Sequence, residues 1–374
     1  RDAQHGARVT EALAALEGVR VVSAHDRITQ SHVGGKMTMR NRAPITSRDD
    51  LSMAYTPGVA RVCMAIHHDQ ERTWDLTIRG NSVAVITDGS SVVGEGDLGP
   101  LAALPAAEAK CMFLREMAGI DGFPLPLDET DPAKIVDTVS KIVSVFGGVH
   151  ITDMAAPKCF EIQDALREQI DIPVMHDIQG GTAAAVLAAL INALELAGKR
   201  LEDATVVIAG LGPSGVATAR LLEAAGVGEI LTCHRAGSVH AGAAQPTPEL
   251  EWIAQHTNPD RKDGTVKELV KGADAFVGLS VPGVIDADDI AAMADKTIIL
   301  ALAMPEPDVS PEVAVAGGAF VYGTGRPDLP NQITSSIAFP GIWRGALDCR
   351  AKDIDRSMIL AAAKASHMSD ALAL

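Results

Sequence analysis

Cysteine is scarce in this sequence, and basic residues are fewer than acidic ones. None of the five cysteines among the 374 residues lies in a C-x-x-C pair, so the pattern indicates neither a zinc site nor a disulfide framework and is typical of a reducing cytoplasm. The 32 Lys and Arg residues against 48 Asp and Glu residues leave a net charge of −16, and such a surface repels nucleic-acid phosphates and anionic lipids. We therefore expect a cytoplasmic protein that binds neither nucleic acid nor a membrane.

The sequence also lacks an apolar run that could span a bilayer. Its most apolar helical stretch, residues 182–198, is rich in Ala and is interrupted by Asn192 and Glu195. A membrane-spanning helix needs about 20 predominantly apolar residues. The length of the chain instead predicts two domains, each with its own buried core.

The second half of the chain alternates short β-branched runs with helical patterns. Predicted strands cover residues 205–209, 229–233, 273–278, 297–301 and 319–322. Predicted helices lie between them at 216–225, 266–271, 287–294 and 311–316. This alternation predicts a parallel sheet with helical crossovers, that is, a doubly wound, Rossmann-like domain.

The first half mixes strands and helices in an order that the sequence leaves open. Strands are predicted at 82–87 and 149–152, and helices at 105–118 and 133–146. After a polar loop at 330–335, helices predicted at 337–347 and 353–364 are expected to pack back on the first domain. The prediction is an α/β protein with an N-terminal α/β domain at 1–177, a Rossmann-like domain at 178–330 and C-terminal helices at 331–374.

A glycine-rich turn follows the predicted strand at 205–209. Gly210, Gly212 and Gly215 form a G-x-G-x-x-G pattern that opens a helical stretch and includes Ser214. The first glycine permits the tight turn, the second lets a pyrophosphate approach the backbone, and the third allows close packing of helix on strand. Free N–H groups at the helix N-terminus then face the anion. The pattern predicts a dinucleotide site; the alternative is that the glycines serve only the turn.

The next predicted strand ends without the acidic residue that binds the ribose 2′-hydroxyl of NAD in this type of site. Its end carries His234 and Arg235, and an Arg at this point suits the 2′-phosphate of NADP. The sequence therefore leaves NAD and NADP as candidate cofactors. The alternative is that both residues belong to a solvated loop.

Several stretches, in order along the chain, resemble the short bacterial malic enzymes. They are AYTPGVA at 54–60, TDG at 87–89 with GEGDLG at 94–99, APKCFE at 156–161, GTGR at 323–326 and PNQ at 330–332. The resemblance covers nearly the whole chain from about residue 20. It implies oxidation of malate at C2 by NAD(P), decarboxylation to pyruvate with help from Mg²⁺ or Mn²⁺, and assembly into dimers or larger oligomers.

The resemblance also assigns the residues that handle protons. Tyr55 matches the family's general acid, and Lys110 matches its general base. Oxidation needs a base for the hydroxyl proton and, after CO₂ leaves, an acid for the enolate carbon. Asp177 joins the predicted catalytic set, and Asn331 joins the predicted cofactor-binding residues. The alternatives are a surface helix lysine at 110 and a core role for the tyrosine.

The family's metal ligands are only partly matched. The family has Glu-Asp where this sequence has Thr152 and Asp153, and Ile178 replaces the second Asp of its His-Asp-Asp. Only Asp153 remains of three metal carboxylates, and Ile cannot supply the oxygen that Mg²⁺ and Mn²⁺ require. We therefore predict that no divalent metal is obligatory. The alternative is a rebuilt site in which Asp153, Asp177 and Glu95 share the ion.

Substrate-binding positions differ from the family as well. Met304 replaces the Asn of its A-N-P turn, and Thr334 and Ser335 replace two amides of its N-Q-x-N-N stretch. Together with Ile178 and Glu95 they form the predicted substrate pocket. Because Ile178 and Met304 would leave a small dianion poorly solvated, we predict a less anionic or larger substrate, of the kind found in specialised metabolism.

Three functions follow from these observations. The first is an NAD(P)-dependent oxidoreductase of malic-enzyme ancestry that oxidises, with or without decarboxylation, a substrate other than malate. The second is a true malic enzyme with a restored ion, and the third is a non-catalytic, nucleotide-binding paralogue. The presence of both Tyr55 and Lys110 argues against the third, because a pure binding module has no evident use for them.

Overall fold

The computed structural model, which describes residues 5–242 and 245–367, arranges ten strands in two sheets. The strands are β1 (Ser82–Thr87), β2 (Asp121–Pro126), β3 (Gly148–Ile151), β4 (Val174–His176), β5 (Thr205–Ala209), β6 (Glu229–His234), β7 (Gly237–Val239), β8 (Ala275–Gly278), β9 (Ile298–Ala301) and β10 (Val321–Thr324). Their order is β2-β1-β3-β4 in the first sheet and β10-β9-β8-β5-β6-β7 in the second. The α/β class predicted from the sequence is confirmed.

Helices occur throughout the described residues. They are α1 (His5–Ala14), α2 (Arg27–His32), α3 (Arg48–Ala54), α4 (Gly58–His68), α5 (Thr73–Leu76), α6 (Gly99–Ala118), α7 (Pro132–Ile142), α8 (Lys158–Gln169), α9 (Ala183–Ala197), α10 (Pro213–Ala225), α11 (Pro248–His256), α12 (Val266–Leu269), α13 (Ala287–Ala291), α14 (Pro311–Ala316), α15 (Phe339–Asp348) and α16 (Arg356–His367). A π-helical turn, Ile178–Thr182, leads directly into α9.

The first sheet is parallel and is built around β1. All six residues of β1 are buried, as expected for a strand covered on both faces. The strand predicted at 82–87 is confirmed, and the one predicted at 149–152 begins one residue earlier as β3. The prediction missed β2 and β4. Strand β2 contains Gly122, Pro124 and Pro126, which disfavour strands, and β4 has only three residues.

The second sheet has the strand order of a dinucleotide-binding fold, with β5 at the point where the order reverses. All five strands predicted in this half are confirmed, with ends shifted by at most two residues. The expectation of a purely parallel sheet is wrong at one edge, because β7 pairs antiparallel with β6. Only Arg235 and Ala236 connect these two strands, and a parallel partner would need a crossover of a dozen or more residues.

Helix α9 joins the two sheets in one hydrophobic core. Ten of its 15 residues are buried, and they share a cluster with Val83 of β1 and Ile208 of β5. The expectation that no apolar run could span a bilayer is wrong by length and composition, because within the described residues the segment Ile178–Ala197 is long and apolar enough to cross a membrane. Its burial inside the protein identifies it as a core helix, since a helix that is apolar on all sides needs cover on all sides.

The C-terminal helices return to both sheets. Helix α15 packs against α6, and α16 packs against α9. Phe339 and Trp343 of α15 are completely buried. The two predicted C-terminal helices are therefore present, starting two and three residues later than expected. The domain limits at 177 and 330 stay predictions, and residues 1–4 and 368–374 of the outer segments lie outside the described residues.

An N-terminal arm, residues 5–72, forms helices α1 to α4 without burying a single residue of those helices. Large apolar side chains of the arm are exposed, among them Val22, Ile28 and Met39. The arm reaches the body at Lys36, whose backbone N–H donates to the Glu108 carboxylate of α6 at 3.1 Å. An apolar surface of this extent is typical of a segment that binds another protein surface.

Candidate active site

Three side chains from distant segments meet beside the end of β4. Lys110 projects from α6, Asp177 follows β4 directly, and Ser335 begins the 3₁₀ turn before α15. The Lys110 ammonium contacts Asp177 Oδ2 and lies 3.4 Å from Ser335 Oγ. The Ser335 hydroxyl donates to Asp177 Oδ2 at 3.2 Å. The structure thus brings together Lys110 and Asp177 of the predicted catalytic set and Ser335 of the predicted substrate pocket.

Asp177 is a buried carboxylate whose side chain is 3% exposed. Burial favours the neutral acid, but the Lys110 ammonium, His150 and the Ser335 hydroxyl outweigh burial and lower the pKa of Asp177 below its ordinary value. The carboxylate therefore stays charged at neutral pH. The site holds an anion against Lys110 Nζ, where a proton can be taken up or released.

Buried rings enclose this ion pair. Lys110 Nζ lies 5.3 Å from the centre of the Phe339 ring, and that ring lies 4.9 Å from the ring of His150. His150 Nε2 is 3.9 Å from Asp177 Oδ1. Burial lowers the pKa of His150 to about 3 and that of His176 to about 4, so both rings are neutral at pH 7. The sequence prediction missed His150, although a histidine within the apolar strand β3 is a signal of a buried polar contact.

Asp153 ties the end of β3 to the loop at 88–96. The backbone N–H of Val93 donates to Asp153 Oδ1 at 3.3 Å, and the Thr152 hydroxyl donates to Oδ2 at 3.2 Å. Asp153 has a φ of +52°, a backbone conformation uncommon for a non-glycine residue and frequent at functional sites. Burial raises the pKa of its carboxyl group. Both carboxylate oxygens are thus engaged within the protein.

The residues around Asp153 do not fit the divalent ion of the family. Thr152 and Ile178 offer no carboxylate, and Asp177 is paired with the Lys110 ammonium. Across residues 5–242 and 245–367, no group of three or more His, Cys, Asp or Glu side chains is placed to hold a metal. Mg²⁺ and Mn²⁺ need several hard oxygen ligands in near-octahedral array. This donor set does not supply them.

Of the other predicted pocket residues, Glu95 and Met304 lie at the loop at 88–96, and Ile178 and Thr334 belong to the turns after β4 and before α15. An added Cβ at Gly94 would lie 3.1 Å from the Met304 carbonyl oxygen, so the loop and the Met304 turn are in close approach. Glu95 is exposed and forms no ion pair with any described residue. Ile178 is half-buried at the start of the π-helical turn. The Thr334 hydroxyl instead accepts from the Ser336 backbone N–H and caps the 3₁₀ turn.

The glycine turn after β5 fits a pyrophosphate. Gly210 has a φ of +99°, and an added Cβ there would lie 2.3 Å from the Leu279 carbonyl oxygen. An added Cβ at Gly215 would lie 1.9 Å from the Gly210 carbonyl oxygen, whereas Gly212 faces open space. Helix α10 begins at Pro213, and no side chain caps its N-terminal N–H groups. These groups, including that of Ser214, are available to an anion.

The other predicted cofactor-binding residues, His234, Arg235 and Asn331, lie near strand ends of the second sheet. Arg235 is exposed directly after β6 and makes no ion pair or hydrogen bond with a described residue. His234 Nδ1 accepts a hydrogen bond from the Ala236 N–H at 3.0 Å. The Asn331 amide donates to the Tyr322 carbonyl oxygen at 2.9 Å. Asn331 therefore orders the turn after β10, and its role toward a cofactor stays a prediction.

Tyr55 is not brought to Lys110 within this chain. It ends helix α3 of the N-terminal arm, is 68% exposed, and its hydroxyl makes no hydrogen bond with a described residue. The expected acid and base therefore do not form a pair inside one protomer. The sequence motif identified the residue type but not its exposed position in the described structure.

A parallel first sheet, a second sheet with a glycine turn at its central strand, and an ion pair beside the end of β4 are typical of a dinucleotide-binding α/β dehydrogenase. Two family models match the chain: the malic enzyme N-terminal domain over residues 35–167 and the malic enzyme NAD-binding domain over residues 178–371. The chain belongs to the malic enzyme family. It is thus an NAD(P)-dependent dehydrogenase of that family, as the sequence predicted.

Named relatives cover most of the chain. The NAD-dependent malic enzyme of Geobacillus stearothermophilus is 46% identical over 357 residues, which are 96% of this chain and 74% of the relative. The bifunctional malic/malolactic enzyme of Bacillus subtilis (strain 168) is 44% identical over 88% of this chain and 81% of its own length. The crystal structure of an NAD-dependent malic enzyme from Thermotoga maritima matches with a TM-score of 0.87 at 39% identity, over 91% of each chain.

Proposed function

We propose that this protein oxidises a hydroxy acid other than malate with NAD(P) and without an obligatory divalent metal. The observation that carries the proposal is the donor set around Asp153. Thr152 and Ile178 cannot ligate a hard cation as carboxylates do, and both oxygens of Asp153 accept hydrogen bonds from the protein. The positive charge beside Asp177 belongs to Lys110.

Lys110 is the residue proposed to move the proton. Its Nζ lies among Asp177, Ser335 and the Phe339 ring, so the ammonium is oriented by two polar contacts and one ring face. NAD(P), when bound, accepts the hydride from the substrate carbon. The Lys110 ammonium first releases a proton to solvent, which reaches its partly exposed side chain. The neutral amine then takes the hydroxyl proton as the hydride leaves, and Asp177 holds the ammonium that forms again as a charge partner. Ser335 keeps the Asp177 oxygen turned toward Lys110 by donating to it.

The pocket residues support a substrate with less negative charge than malate. The resemblance to the family implies a metal-binding carboxylate at position 178, where this chain has Ile178. It implies a carboxylate-binding amide at position 304, where this chain has Met304. An anion beside these apolar side chains loses hydration without gaining hydrogen bonds. The exposed Glu95 adds a negative charge that further disfavours a second substrate carboxylate.

A second copy of the chain supplies the proposed general acid. Tyr55 is exposed on an arm whose helices bury none of their own residues, while Lys110 lies on the body. An arm of this kind is stabilised by packing on another copy, and closed homodimers are the commonest assemblies of soluble proteins. The proposal is a cytoplasmic homodimer or larger homo-oligomer in which Tyr55 of one chain serves the site of the other.

The test is a steady-state assay of the purified protein against malate and a panel of less charged or larger 2-hydroxy acids, with NAD or NADP. We expect turnover of a panel member that persists in EDTA, and little turnover of malate with Mn²⁺. Efficient malate oxidation that requires Mn²⁺ and stops in EDTA would overturn the proposal.

The relatives favour a second candidate, a true malic enzyme. Two proteins that share 46% and 44% identity with this chain are named for activity on malate. For this candidate, an ion held by Asp153, Asp177 and Glu95 would have to displace the Lys110 contact. The same assay decides between the two, because only this candidate predicts that activity follows the Mn²⁺ concentration and is lost in Asp153→Ala.

A further inference from the structure

Trp343 and His150 form a hydrogen bond in the interior of the protein. The indole N–H of Trp343 donates to His150 Nδ1 at 2.9 Å, and both side chains are fully buried. An indole N–H can only donate, so Nδ1 must be the unprotonated nitrogen of the imidazole. In a neutral ring the single proton then lies on Nε2.

Strand β3 and helix α15 are shaped for this contact. Gly148 precedes His150 by two residues and therefore lies on the same face of β3. An added Cβ at Gly148 would lie 2.1 Å from the Trp343 ring. Any side chain at position 148 would therefore block the indole from reaching His150. Phe339, one helical turn before Trp343, packs against the other side of the imidazole with ring centres 4.9 Å apart.

The protonated edge of His150 faces the ion pair. His150 Nε2 lies 3.9 Å from Asp177 Oδ1, and this oxygen has no hydrogen-bond partner in the described residues, whereas Oδ2 binds Lys110 and Ser335. Burial keeps the ring neutral, with a pKa of about 3. The Nε2–H dipole of the neutral ring therefore faces the free oxygen of the carboxylate at 3.9 Å.

We propose that His150 is a positioning residue: Trp343 fixes its tautomer, and its Nε2–H orients the Asp177 carboxylate that holds Lys110. The other neutral tautomer, with its proton on Nδ1, would turn the Nε2 lone pair toward the carboxylate, which is repulsive. The inference rests on the proposed role of Lys110 as the base. It extends that role to a pair of buried residues that touch neither substrate nor cofactor.

The first experiment observes the tautomer and needs no substrate. In ¹⁵N-histidine-labelled protein, the ring nitrogens of His150 are expected to show the Nε2–H form, and Trp343→Phe is expected to convert it to a mixture of tautomers. The ¹³Cε resonance of Lys110 is assigned by its absence in Lys110→Arg. We expect the chemical shift of this resonance to change in Trp343→Phe. Trp252→Phe, on α11, is the matched control and should change neither signal. An Nδ1–H form in the wild type would overturn the proposal.

The second experiment measures turnover of the substrate found in the oxidation panel. Trp343→Phe and His150→Phe are expected to lower kcat about tenfold, the effect of one lost hydrogen bond, with KM unchanged. His150→Gln should retain most of kcat, because its amide has both an acceptor and a donor. Wild-type kcat in Trp343→Phe would overturn the positioning role. If no panel compound is oxidised, the proposed function fails, and the tautomer and Lys110 signals still decide the role of His150.

Discussion

Lys110 and Asp177 are in contact beside the end of β4, although 67 positions separate them in the chain. One comes from the helix that covers the first sheet, and the other from the turn that leads from β4 into α9. The contact therefore depends on how α6 packs on the first sheet. A substitution at either end tests the site and the arrangement of the core together.

Replacing Asp177 with Asn removes the anion while keeping the side-chain shape. Lys110 then lacks a charge partner, and we expect kcat/KM for the panel substrate to fall by about 10² to 10⁴, the range for a displaced acid–base group. Asp137→Asn breaks the exposed Lys141–Asp137 pair on α7 and is the matched control. An exposed pair contributes little, so the control should keep wild-type kinetics. Equal kinetics in both variants would contradict the proposed role of Asp177.

Restoring the missing carboxylates should create a metal site. The double variant Thr152→Glu/Ile178→Asp has two added carboxylates, which together with Asp153 give three that can surround one ion. We expect its affinity for Mn²⁺ to be at least about tenfold higher than that of the wild type. The loss of the free Mn²⁺ signal in electron paramagnetic resonance measures this binding without an activity assay. Ile178→Leu in place of Ile178→Asp is the control. Tight Mn²⁺ binding by the wild type would show that the ligand set is complete without these changes.

Mixing two inactive variants tests whether Tyr55 serves the partner chain. Tyr55→Phe and Lys110→Ala chains are each expected to be inactive, but their mixed dimers contain one site with both residues. After random exchange, activity should return to about one quarter of the wild type. Lys110→Ala mixed with Asp177→Asn is the control and should stay inactive, because both residues belong to the same protomer's site. No recovery in the first mixture would place Tyr55 outside the partner's site.

Arg235 should distinguish the two nicotinamide cofactors. Its unpaired guanidinium follows β6 at the position predicted for the ribose, and a charged hydrogen bond to a 2′-phosphate corresponds to about 10- to 100-fold in affinity. Arg235→Ala is therefore expected to weaken NADP binding by that factor and to leave NAD binding unchanged, as measured by calorimetry. Arg261→Ala, at another exposed arginine, serves as the control. A parallel loss of both cofactors would contradict a specific 2′-phosphate contact.

His176 should make the protein less stable in mild acid. Burial lowers its folded-state pKa to about 4, below the ordinary 6.5, so the unfolded chain binds more protons between these values. Stability from the neutral ring is present above pH 6.5 and is lost as the pH falls toward 4. Between pH 8 and pH 5 the loss is about 2 kcal/mol from this group alone.

Urea unfolding of the wild type and His176→Gln at these two pH values measures the effect. The variant should lose about 2 kcal/mol less free energy of unfolding on acidification than the wild type does. His256→Gln, at an exposed histidine, should match the wild type. An unchanged pH dependence in His176→Gln would show that its ring is not held neutral in the folded protein.

Elements with strong local signals were predictable from the sequence. The strand at 205–209, the glycine turn after it and the helix to Ala225 all follow from β-branched runs, glycine geometry and helical periodicity. Strand β2 was missed because its prolines and glycine argue against a strand, and long-range pairing with β1 and packing against α6 hold it there. The antiparallel β7 was missed because a three-residue strand leaves almost no pattern.

The sequence by itself determined the fold class, the family and the residue types available for proton transfer, because these depend on short-range patterns and on motifs that survive divergence. Only the tertiary structure decided that Lys110, Asp177 and Ser335 meet, that the Trp343 indole donates to His150 beside them, and that Tyr55 is exposed on the N-terminal arm. The physical reason is that such contacts join segments far apart in the chain. Their geometry depends on sheet register and on the packing of α9 and α15, which no local sequence pattern specifies.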